Sequence, residues 1–134
     1  MTVREILATY RHIAIVGISD RPARASSDVS RYLMQAGYTI LPVNPNRKTV
    51  FGLECHPSIS AMPAELKRKI EIVDIFRKPR SVEPIVDEAI EAGAKVVWMQ
   101  PGAANEEAAE KARKAGLEVV LNRCMAVEHR RLFT

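Results

Sequence analysis

The chain has 134 residues, with 20 Lys+Arg against 16 Asp+Glu, a formal net charge of +4 and a pI near 9.3. At 47% hydrophobic and 27% charged it has the composition of a folded globular domain, which excludes a disordered, collagenous or disulfide-dense chain. Cys55 and Cys124 make no disulfide framework, no apolar stretch approaches the roughly 20 residues of a membrane span, and Met1 to Glu5 carry no secretion pattern, so one cytoplasmic domain over 1–134 is expected.

In chain order, Val3, Ile6, Leu7 and Tyr10 repeat at helical spacing, with Thr2 and Glu5 placed as a capping box. His12 to Gly17 reads as a first strand. The segment Gly17 to Ser26 leads into a second helix with the stripe Val29, Tyr32, Leu33 and Ala36, and Tyr38 to Val43 follows as a second strand. Lys67-Arg68-Lys69 reads as the solvated end of a helix, where cations suit the dipole, before a third strand over Ile70 to Phe76. Val82, Ile85, Val86, Ala89 and Ile90 line the next helix, and Lys95 to Met99 make a fourth strand. Asn105 with Glu106 and Glu107 opens a helix over 105–115, Leu117 to Leu121 make a fifth strand, and a short last helix follows.

Three of these helices stop at Ala-Gly, at Gly37, Gly93 and Gly116, each directly before a strand. Glycine there supplies the left-handed position past a helix end, and the repeated unit is β-α-β. Strands nearly continuous in Val and Ile are buried on both faces, as in a parallel sheet covered by helices. The expected fold is therefore α/β: a single doubly wound five-stranded parallel sheet of order 3-2-1-4-5. Ligands bind such sheets at the carboxyl edge, where the winding reverses. In that order the crevice lies between the first and fourth strands, faced by loops 18–25 and 100–104 and flanked by 44–50, 77–80 and 122–125.

Those five loops hold eight basic residues, Arg21, Arg24, Arg47, Lys48, Arg77, Lys78, Arg80 and Arg123, against the single acid Asp20. Ordinary loop polarity does not account for the shortage of acids, since Asp is a favoured loop residue. Cations gathered round one crevice suit a small ligand with several phosphates. The first loop has the position of a phosphate loop without its glycines: Gly17 alone matches G-x-G-x-x-G, and Ser19 stands where the second glycine belongs. The second strand ends in Asn44-Pro45-Asn46-Arg47 without the acid that reads an NAD ribose, so plain NAD is disfavoured while Arg47 keeps NADP open.

In Ile15-Val16-Gly17-Ile18-Ser19 with Pro22 and Arg24 to Ser26, in Tyr38 to Pro45, Asp74 to Arg77, Val97 to Gly102 and Asn122 to Met125, the chain resembles the small stand-alone CoA-binding proteins. These are similar in turn to the N-terminal CoA-binding domain of the succinyl-CoA ligase α subunit. The resemblance implies a Rossmann-like fold holding coenzyme A, as CoA or acyl-CoA, across the carboxyl edge. Gly17 and Ile18 fall among the cofactor-binding positions, and by position Ser19, Arg21, Arg24 and Ser26, with the helix amides, are read as holding the diphosphate. Asn44, Pro45 and Arg47 then lie against the 3′-phospho-ADP, as do Phe76, Arg77 and Lys78, and Gln100, Pro101 and Gly102 line the crevice. The ligase's second domain, with its phosphorylated histidine, has no counterpart in these residues. A binding module without catalysis of its own is the leading expectation, with an NADP-binding reductase or a Cys124-dependent acyl transfer as the alternative.

Cys124 follows the fifth strand beside Arg123, where a thiol could meet the CoA sulfur or simply fill a buried strand end. His129 is expected exposed on the last helix, and His12 and His56 have no partners at metal-ligand spacing, so neither a catalytic set nor a metal site is assigned. Asp74 could buffer Arg77 or accept from a ribose, and Trp98 reads as core. Nucleic acid is not an expected partner at 5% aromatic content and +4. An edge strand could pair with a second copy of the chain.

Overall fold

The computed structural model describes residues 1–134. The elements run α1 (Val3–Thr9), β1 (His12–Val16), α2 (Ala25–Gln35), β2 (Thr39–Val43), the small hairpin β3 (Thr49–Val50) and β4 (Leu53–Glu54), then α3 (Ala64–Lys67) and β5 (Ile72–Ile75). A 3-10 turn at Pro79–Ser81 leads into α4 (Val82–Ala92), followed by β6 (Val96–Met99), α5 (Glu106–Lys114), β7 (Glu118–Leu121) and α6 (Met125–Phe133). All five long strands pair in parallel, in the order β2-β1-β5-β6-β7. No helix is long and apolar enough to cross a membrane.

The α/β class and the five-stranded, doubly wound parallel sheet are as the sequence implies. The order is where they differ: counting the long strands in chain order, it is 2-1-3-4-5, so the third strand lies against the first and not outside the second. The side chains give the reason. Along each strand they alternate between two layers, Ile13 and Ile15 facing one and Ala14 and Val16 the other. Val29 and Leu33 of α2 bury into the first layer, with Ile6 and Leu7 of α1 and Met125 of α6. Ile59, Met62 and Leu66, on the connection from β2 to β5, bury into the second, with α4 and α5. A right-handed crossover that changes face must also change direction. It carries the third strand past β1, and the winding reverses between β1 and β5.

The local signals behave as their chemistry dictates. The capping box closes, Glu5 N donating to Thr2 Oγ1 at 3.1 Å and Thr2 N to Glu5 Oε1 at 2.7 Å. Asn105 caps α5 by accepting from Ala108 N at 3.0 Å. Gly37, Gly93 and Gly116 all have positive φ, at 99°, 81° and 92°.

Candidate functional site

Because every long strand points the same way, the loops after β1, β2, β5, β6 and β7 share one edge. The switch in winding separates the ends of β1 and β5. Phe76 N donates to Val16 O between these ends, and on the other side of β1 Gly17 N donates to Val43 O at the end of β2, each at 2.9 Å. Gly17 has φ +88°, and a Cβ on it would run into the Phe76 carbonyl, so only glycine lets the two strand ends close up.

Two open cavities meet over this point. The larger, about 570 Å³, runs between Gly17, Arg24, Ala25 and Ser26 on one side and the 76–81 loop and Pro101 to Ala103 on the other. The smaller, about 330 Å³, reaches from the same floor towards the end of β2 and adds Ser19, Arg21, Asn44, Asn46 and Arg47. Gly17, Arg24, Ser26, Phe76 and Arg77 line both and form the saddle between them. Ser26, in the first turn of α2, is only 4% exposed, and its hydroxyl makes no hydrogen bond within the chain. The open amides of that turn face the same space, which suits an anion.

Six cations line the two cavities: Arg21, Arg24, Arg47, Arg77, Lys78 and Arg80. Only Arg47 has a carboxylate partner, Asp20, whose two oxygens lie 2.9 and 3.1 Å from its Nη2. The hydrogen bond from Arg47 holds the Asp20 carboxyl below its ordinary pKa, so it stays charged beside the smaller cavity. Asn44 Nδ2 donates to Ile18 O at 2.8 Å, and Asn46 N to Asn44 Oδ1 at 2.8 Å, fixing the loop that carries Arg47.

Most residues picked from the sequence therefore converge: Gly17, Ser19, Arg21, Arg24, Ser26, Asn44, Arg47, Phe76, Arg77, Lys78, Pro101 and Gly102 line one or both cavities. Four do not. Ile18 is 0% exposed in the core and offers only its carbonyl to Asn44. Pro45 lines neither cavity but an adjoining hollow with Pro57 and Ser58, which borders the two cavities at Arg77 and Ser81. Gln100 is buried and accepts from Met125 N at 3.1 Å, pinning α6 to the loop after β6. Cys124 is half-buried at the N-cap of α6 and lines neither cavity.

The reversed winding also moves the crevice. It lies between the first and third strands, and loop 76–81 replaces 100–104 as the direct neighbour of the first loop. Arg80, Ser81, Ala25, Asn46 and Ala103 join the lining. Arg80 was visible as loop charge; the others carry no signal apart from their place in the topology. Arg123 drops out of the loop cations, held by Glu128 at 2.6 Å.

His129 departs from expectation. It sits half-buried, its Nδ1 2.8 Å from the Tyr32 hydroxyl and its ring stacked on Phe133 and edge-on to Tyr38. Burial and then Arg11 lower its pKa. Trp98 is fully buried as expected and donates Nε1–H to Arg123 O at 2.7 Å.

Residues 11–130 match the model of the CoA binding domain family. The chain belongs to that family. It is 37% identical over 127 residues to the uncharacterised protein YneT of Bacillus subtilis (strain 168), covering 95% of this chain and 91% of that one. A hypothetical protein of Pyrococcus horikoshii OT3, whose structure is solved, is 47% identical and superposes with a TM-score of 0.93 over 98% of this chain and 90% of its own. The ADP-forming acetate–CoA ligase I of Archaeoglobus fulgidus is more distant, at 23% identity over 121 residues, and the match spans 86% of this chain but 18% of the ligase.

Proposed function

We propose that this protein binds CoA or an acyl-CoA across the joined cavities and does so without chemistry of its own. The 3′-phospho-ADP end occupies the smaller cavity, the diphosphate sits on the saddle over Ser26 and the first turn of α2, and the pantetheine arm follows the larger cavity. The observation that carries this reading is the saddle: two cavities sharing one floor, six cations and one acid that is itself tied to Arg47. A ligand with three phosphate groups and a long neutral arm suits that distribution. Membership of the CoA binding domain family and the distant match to an acetate–CoA ligase point the same way. Two unpaired thiols, Cys55 and Cys124, suit the reducing cytoplasm, where CoA is a soluble cofactor.

Calorimetric titration with CoA, dephospho-CoA and NADPH tests the reading. CoA should bind tightest, and dephospho-CoA at least about tenfold more weakly, because the basic smaller cavity reads the 3′-phosphate. Equal affinity for CoA and dephospho-CoA, or tighter binding of NADPH, would overturn it. Acetyl-CoA recovered intact after prolonged incubation supports a purely binding role, and its turnover refutes one.

A further inference from the structure

The larger cavity is more basic than a pantetheine arm requires. That arm carries two amides, a hydroxyl and a sulfur, none of them charged. Beyond the saddle the cavity is nevertheless walled by Lys78 and Arg80. Neither has a carboxylate partner in the chain, and no Asp or Glu lines the cavity. Pro101 to Ala103, on the same side of the cavity, are uncharged, and Ser81, the N-cap of α4, lines it as well. The four arginines of the smaller cavity already serve the phosphates, so two cations remain facing the far end of the ligand.

Resting on the orientation given above, we propose that the ligand is a CoA thioester whose acyl group ends in a carboxylate. Lys78 and Arg80 receive that carboxylate while the thioester lies along the larger cavity. The inference concerns recognition alone: no bond is made or broken. Arg80 is a specificity-determining residue, because it lines only the larger cavity and has no other anion to hold.

The test pairs two thioesters of equal chain length, glutaryl-CoA and pentanoyl-CoA, which differ in a terminal carboxylate against a methyl group. In calorimetric titrations at low salt, glutaryl-CoA should bind about three- to tenfold tighter. That ratio should fall below about twofold in Arg80→Ala and at high salt, while Arg80→Lys retains most of it. Equal binding of the two thioesters, a preference for pentanoyl-CoA, or a ratio unchanged in an Arg80→Ala/Lys78→Ala double variant would overturn the proposal. Weaker CoA binding by Arg80→Ala with dephospho-CoA unaffected would also overturn it, since the phospho-ADP would then lie in the larger cavity. Failure of the CoA reading itself looks different: neither thioester, nor CoA, would bind.

Discussion

Asp74 sits in the middle of β5 with 0% exposure, between Ile15 of β1 and Trp98 of β6, and neither carboxylate oxygen has a hydrogen-bond partner. Burial pushes its pKa well above the ordinary carboxylate value. Unfolded, it ionises near pH 4; folded, it keeps its proton to higher pH. The folded state therefore holds one more proton between the two pKa values, and stability falls as pH rises through that window. It is highest below the unfolded pKa and levels off above the folded one. One proton is worth about 1.4 kcal/mol per pH unit, which in a domain of this size moves Tm by roughly 4–5 °C per unit. Asp74→Asn has nearly the shape of the neutral acid and cannot ionise, so it lacks this slope. Glu5, Asp20 and Glu128, whose hydrogen bonds and ion pairs lower their pKa values, act with the opposite sign but equally in both proteins. The quantity to measure is thus the Tm difference, variant minus wild type, by circular dichroism in half-unit steps from about pH 4.5 to 8. It should become more positive with pH and then flatten at the folded pKa. Parallel curves over the whole range, or a difference that becomes more negative as pH rises, would refute the buried, partnerless acid.

Three other substitutions test the site and its supports. Gly17→Ala combines a left-handed φ with a Cβ directed at the Phe76 carbonyl, and should cost about 2–4 kcal/mol in urea unfolding and abolish measurable CoA binding. Arg24→Ala removes an exposed cation that lines both cavities; CoA affinity should fall about tenfold or more while thermal stability changes by less than about 0.5 kcal/mol. Asn105→Ala loses the cap on Ala108 N and the 2.8 Å bond from Nδ2 to Pro79 O, so about 1 kcal/mol of stability should go, and hydrogen exchange should quicken in the 79–81 turn and at the start of α5.

What was legible in the chain was what local chemistry decides. Thr2 and Asn105 cap because a side-chain oxygen reaches an amide three residues on, Glu5 because its carboxylate reaches one three residues back, and Gly37, Gly93 and Gly116 stop helices because they tolerate positive φ. Neither property depends on distant neighbours. The β3–β4 hairpin carries no sequence signal, because its strands are two residues each and leave no period to read. The burial of His129 leaves no local signal, because its partners Tyr32 on α2 and Tyr38 before β2 lie about ninety residues earlier and reach it only once α6 has packed there. Arg123 looked like a free loop cation until the fold of α6 brought Glu128 to it.

The strand order differs from the one the sequence implies, yet most of the same loop residues line the cavities, and the reason is geometric. In an all-parallel sheet every loop following a strand lies on the carboxyl edge whatever the order, so gathering Arg21, Arg24, Arg47, Arg77, Lys78 and Arg80 on that edge needed only the direction of the strands. Order decides which loops are neighbours. With the third strand beside the first, the Phe76 carbonyl closes against Gly17 and the 76–81 loop becomes a wall of the central cavity. With the fourth strand there, that loop would have stood at the far edge, and Arg80 would have been one more solvated cation. On the proposed reading the charge pattern suits a polyphosphate, while the reversal of winding decides which cations line the larger cavity. For that reason the ratio of glutaryl-CoA to pentanoyl-CoA binding in Arg80→Ala tests the topology together with the chemistry.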